Sequence, residues 1–136
     1  MIEFGSVELS QQMLVVINAG IAALLGSAIG WERDRAGKSV GPRTMALVGA
    51  SAAAIVNIGQ ILDVNAKFGD PTRAMHAIIT GIGFLGAGLI FQTRDSGTKG
   101  VTTAATVFAT AAMGCAVGLG FQVASVGLTV IILIVL

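Results

Sequence analysis

Apolar runs of bilayer length, separated only by short charged stretches, limit this chain to very few folds. The hydrocarbon core of a membrane is about 30 Å thick and takes about 20 apolar residues per helix. Such runs extend over residues 9–31, 43–62, 73–91, 101–118 and 119–136. In lipid every backbone N–H and C=O must be satisfied inside the protein, which makes runs of this length helices. The expected fold class is therefore all-α: a polytopic membrane bundle of five transmembrane helices forming a single domain over residues 1–136. Composition agrees, since 54% of residues are hydrophobic and only 11% charged, against about 25% charged in an ordinary soluble domain. The lipid bilayer is thus the first partner. A net charge of +1 without a basic stripe gives nucleic acid no surface to bind.

Orientation follows from the basic residues of the short loops. The first loop holds Arg33, Arg35, Lys38 and Arg43, and the third holds Arg94 and Lys99. In the second, Lys67 and Arg73 are balanced by Asp63 and Asp70. The first and third loops are therefore expected on the cytoplasmic side, with the N-terminus outside and the C-terminus inside. Glu3 and Glu8 stand where a cleavable signal peptide needs basic residues, so none is expected. Helices four and five nearly touch, which requires a tight turn at Gly118 and Gly120.

In lipid, small residues gain from turning inward because they let backbones approach. Helix one offers Ala19, Ala22, Ala23, Gly26 and Gly30 on one side, with Asn18 at its edge. On helix three, Ile78, Ile82, Leu85 and Leu89 are assigned to lipid, and Arg73, His76, Thr80, Gly83 and Ala87 to the interior, flanked by Gly81 and Gly88. Helix four carries Thr102, Thr103, Thr106 and Thr110 in a stripe continuing to Gly114. That stripe reads as packing or as a polar passage. Gly26-x-x-x-Gly30 and Gly114-x-x-x-Gly118 suit close helix association. The glycine-rich run of residues 81–88 sits inside an apolar span, which removes a dinucleotide-loop reading. Cys115, the single cysteine, reads as a small buried hydrophobe.

Two arginines stand where helices begin. Pro42 and Pro71 suit the first helical position, Asp70 is a good N-cap, and Arg43 and Arg73 follow. A cation there opposes the helix dipole at a cost of about 0.3–1 kcal/mol. Glu32 and Asp34 are the expected partners of Arg43, and Asp70 or Asp63 those of Arg73.

Several of these segments together resemble the MgtC/SapB family. They are Gly26-x-x-Ile29-Gly30-x-Glu32-Arg33, Gly41-x-Arg43-Thr44, Asp70-Pro71-x-Arg73, residues 81–88 with Gly83 and Gly86 at their centre, and Lys99-Gly100-x-Thr102-Thr103-Ala104-Ala105. Phe108 stands where the family often has tryptophan. The resemblance implies a bacterial inner-membrane protein associated with magnesium limitation, stress or acid adaptation, and virulence. It implies a regulatory role through other membrane machinery such as the ATP synthase. It also makes Glu32, Arg33, Arg43, Thr44, Asp70, Arg73, Gly83, Gly86, Lys99, Thr102 and Thr103 the functional candidates. Long members carry a further cytoplasmic domain, which this sequence does not show.

Two function classes follow: a modulator that binds a partner helix, or a transporter of Mg²⁺ or another ion. A magnesium route wants oxygen ligands near mid-membrane, yet Glu32, Asp34, Asp63, Asp70 and Asp95 all lie at span ends. A gated route lined by Asn18, Asn57 and the threonines is the remaining transport reading. No cofactor is identifiable, and Mg²⁺ is the one ion in question. No nucleophile–base pair or phosphate loop is visible, so no enzyme is expected. Five short helices bury little surface, and a homodimer is expected.

Overall fold

The computed structural model describes residues 7–66, 70–92 and 99–136, and every regular element among them is helical. The elements are α1 (Leu9–Arg35), α2 (Pro42–Ala66), α3 (Pro71–Gln92), α4 (Lys99–Gly118) and α5 (Gln122–Val135). Glu3, Lys67, Arg94, Asp95 and the side chain of Lys99 lie outside the described residues. Among the described residues four helices are long and apolar enough to cross a membrane. The fifth differs from expectation: its 14 residues make a helix about 21 Å long, short of the core thickness. The reason is a turn that consumes residues 119–121.

Two glycines shape the chain reversals. Gly37 and Gly120 have φ of 69° and 88°, a region that costs a side chain dearly. Each sits in a Schellman arrangement. After α1, Lys38 N–H donates to Arg33 O at 2.9 Å and Gly37 N–H to Asp34 O at 3.0 Å. After α4, Phe121 N–H donates to Ala116 O at 2.9 Å and Gly120 N–H to Val117 O at 3.0 Å. Gly118, read from sequence both as part of that turn and as a packing glycine, ends α4 and closes it against α2. At the start of α3, Asp70 Oδ1 accepts the Thr72 amide at 2.8 Å, the N-cap its position promised.

The centre of the bundle is α2 pressed between α1 and α4. A Cβ on Gly26 would strike the Met45 carbonyl, and one on Gly30 would strike Gly41 and Pro42. On the other flank, Gly114 lies against the Gly49 carbonyl and Gly118 against that of Ala53. Gly49 itself leaves room for the Ala22 carbonyl, 2.8 Å from where its Cβ would stand. Backbone therefore meets backbone on both sides of α2. Ile29, Met45, Met113 and Val56 fill what remains, all fully buried.

Helix α3 is peripheral: 6% of its apolar window is buried, against 56% for α4. Its orientation reverses the expectation except at Leu85, which is exposed as expected. Met75, Ile78, Ile82 and Leu89 pack against the α2–α4 core, and Gly86 lies 3.6 Å from the Ala104 methyl by its virtual Cβ. Arg73, His76, Thr80, Gly83 and Ala87 face outward. The α2–α4 surface is built of alanines, valines and Cys115. It offers hollows that isoleucine and methionine fill, and an already small surface gains little from a second small one.

Candidate functional site at the basic end of the bundle

The end of α1, the start of α2, the end of α3 and the start of α4 meet at one end of the bundle. Arg33 belongs to the buried stripe of α1, with Asn18, Ala22, Gly26, Ile29 and Gly30. It is 3% exposed. Its Nη2 donates to Thr103 Oγ1 on α4 at 3.1 Å, and its Nε has no hydrogen-bond partner among the described residues. Arginine does not deprotonate in proteins, so a fixed positive charge is enclosed here. No carboxylate pairs with it among the described residues. Beside it Glu32 is half-buried, with a buried Oε2 that finds no partner there either.

The other candidates divide between two places. Arg43, Thr44 and Thr102 stand exposed at the same basic end, and Lys99 opens α4 there. Asp70 and Arg73 open α3 at the opposite end, next to Gly59 of α2. Sixteen residues of α2 separate Arg43 from Gly59, roughly 24 Å. The expected ion pairs do not form: among the described residues neither Glu32 nor Asp34 bridges to Arg43, and neither Asp63 nor Asp70 to Arg73. The carboxylate of Asp70 is engaged by its own helix, and both arginines are exposed. Among the described residues nothing lies within 4 Å of a virtual Cβ on Gly81, Gly83 or Gly88, so the packing expected of Gly81 and Gly88 is not made there.

The threonine stripe is not an open passage. Thr106 Oγ1 donates to Thr102 O and Thr110 Oγ1 to Thr106 O, each at 2.8 Å, with the Met45 sulfur 3.5 Å from the Thr110 hydroxyl. Deeper in the bundle, Asn18 Nδ2 donates to Asn57 Oδ1 at 3.2 Å. Gln122 Nε2 donates to Asn18 Oδ1 at 3.1 Å. These amides tie α1, α2 and α5 together and satisfy each other. Gln122 belongs to no motif in the sequence, and its one signal is that a lone amide opening a very apolar helix needs a partner once water is absent. No cluster of potential metal ligands occurs among the described residues.

Residues 20–136 match the model of the MgtC family. Protein SapB of Bacillus subtilis is 33% identical over 116 residues, covering 79% of this chain and 48% of SapB. Escherichia coli K12 YhiD, whose name proposes magnesium transport, is 35% identical over 126 residues, covering 89% of this chain and 58% of YhiD. Protein MgtC of Brucella abortus is 40% identical over 99 residues, covering 73% of this chain and 40% of MgtC. The chain spans about half the length of the curated relatives it matches. No solved structure matches it at a significant level.

Proposed function

The chain belongs to the MgtC family, and from that membership we propose a non-enzymatic modulator of the bacterial inner membrane. It acts under magnesium limitation or related stress by pairing with helices of other membrane proteins or of a second copy. The observation that carries this reading is the enclosed Arg33. A permanent cation on the threonine stripe repels Mg²⁺ from that polar seam, and its positive charge is felt strongly in a low dielectric. The rest of the interior is filled by buried apolar side chains such as Ile29, Met45, Met113 and Val107. Function then falls to surfaces. Thr80, Gly83 and Ala87 form an outward stripe on α3, a composition suited to another helix rather than to lipid. The basic end faces the cytoplasm in this reading, with the N-terminus outside.

Gly83→Leu is the variant that tests it, because the added side chain meets nothing of its own chain within 4 Å at Cβ. In a strain that depends on this protein for growth in low magnesium, the variant is expected to accumulate normally and fail to support growth. Full support of growth would remove the α3 face from the mechanism. With Gly83→Cys in a Cys115→Ser background, oxidation of native membranes is expected to give a disulfide-linked homodimer. A monomer band alone would remove the second copy from that face.

Magnesium transport is the competing reading, drawn from the name of YhiD and from the buried amides Asn18 and Asn57. It requires the amide layer to open and the ion to pass Arg33.

A further inference from the structure

Helices α2 and α3 enclose a cleft of about 490 Å³ between them. Leu47, Ser51 and Ile55 line it from α2, and Ala77, Gly81 and Leu85 from α3. Its walls are almost wholly apolar, and its volume falls within the roughly 300–1,000 Å³ of ligand pockets. A second hollow of about 250 Å³ shares Thr44, Val48 and Leu85 with it and runs on to Gly88 and Gln92. The lining from Thr44 to Ile55 spans twelve residues of α2, roughly 16 Å along its axis. That is about half the roughly 30 Å hydrocarbon core, the depth of one leaflet.

Arg43 stands in the first turn of α2, next to the lining residue Thr44. It lies four residues before Leu47, on the same stripe as Leu47, Ser51 and Ile55, since residues four apart share a helix face. It is exposed and pairs with no acid among the described residues. Its charge adds to the positive end of the α2 dipole instead of offsetting it, so an anion at this point relieves both. A basic group at the end of an apolar cleft between membrane helices is the arrangement that holds acidic lipid headgroups.

We propose that the α2–α3 cleft is a binding site for an anionic phospholipid. One acyl chain lies between α2 and α3, and the phosphate meets the Arg43 guanidinium and the Thr44 hydroxyl at the surface. Gly81 and Gly88, which have none of the described residues within 4 Å of a virtual Cβ, then serve to keep room for the acyl chain. This site is independent of the α3 outward stripe and of the modulator reading.

Native mass spectrometry of the full chain, extracted in mild detergent and supplied with phosphatidylglycerol or phosphatidylethanolamine, tests it. The unmodified protein is expected to retain one phosphatidylglycerol in preference to phosphatidylethanolamine. Arg43→Gln is expected to lower the bound fraction roughly fivefold, the value of one basic group at a lipid surface. Gly81→Phe is expected to abolish retention by filling the cleft, and because nothing lies within 4 Å of its Cβ its melting temperature should not fall. Arg35→Gln, on the far side of α1 beside Trp31, is expected to leave binding unchanged. Equal retention of both lipids, an equal loss in Arg35→Gln, or retention undiminished in Gly81→Phe would overturn the proposal. So would a second copy of the chain occupying the cleft, seen as a Ser51→Cys crosslink in native membranes.

Discussion

Replacing Gly118 with leucine is expected to destabilise the protein by about 3 kcal/mol or more, the upper end of overpacking costs. A Cβ alone at that position runs into the Ala53 carbonyl, with the Ala53 Cα 3.1 Å away. The obstacle is backbone, which cannot rotate aside, so α4 must move away from α2. That movement breaks the neighbouring contact of Gly114 with Gly49 as well. Helix association in lipid has no hydrophobic drive to restore it and rests on close packing. Thermal unfolding in detergent should show the loss, and Gly20→Leu should not, because nothing lies within 4 Å of a Cβ there. Equal melting temperatures for the two variants would mean that α2 and α4 are not in backbone contact.

Thr103→Val is expected to cost about 2 kcal/mol, within the range for hydrogen bonds to charged groups. The substitution nearly preserves shape but takes the hydroxyl from a guanidinium that is 3% exposed and already lacks a partner at Nε. Thr103→Ser keeps the acceptor and should retain most of the stability. Adding Arg33→Met to Thr103→Val should cost less than the two single changes summed, because removing a buried ion together with its partner leaves no uncompensated charge. Thr102→Val, exposed beside it, should fall within about 0.5 kcal/mol of the parent. Additive losses in the double variant would mean that Arg33 and Thr103 do not interact.

The sequence made the helices legible because span length and charge placement are set by the bilayer rather than by tertiary detail. Four of the five spans stand as long apolar helices. The glycine faces of α1 and α4 were also legible, since Gly26 and Gly30, and Gly114 and Gly118, repeat at a four-residue spacing that puts each pair on one face, but that both faces meet α2 of the same chain is set by the tertiary fold. Helix α3 was misread for a physical reason. The rule that small residues turn inward assumes that both partners need room, and here the α2–α4 surface already supplies the alanines. The roles of the arginines were misread for another. Arg43 and Arg73 drew notice by opposing helix dipoles, whereas Arg33 is the enclosed one. The signal for it lay in the α1 stripe, where Asn18, Ala22, Gly26, Ile29 and Arg33 follow at three- and four-residue steps. Partners such as Gln122 for Asn18 depend on how a short fifth helix seats against the first, and no local pattern encodes that.

Magnesium flux into proteoliposomes, read with an internal Mg²⁺ dye, tests the closed bundle most directly. Empty liposomes and the Arg43→Ala and Asp70→Ala variants run alongside, with folding verified for each. A bundle guarded by Arg33 and filled by Met45 and Met113 predicts no flux above empty liposomes. Flux that exceeds empty liposomes and falls in the variants would contradict it and make the threonine stripe a pathway.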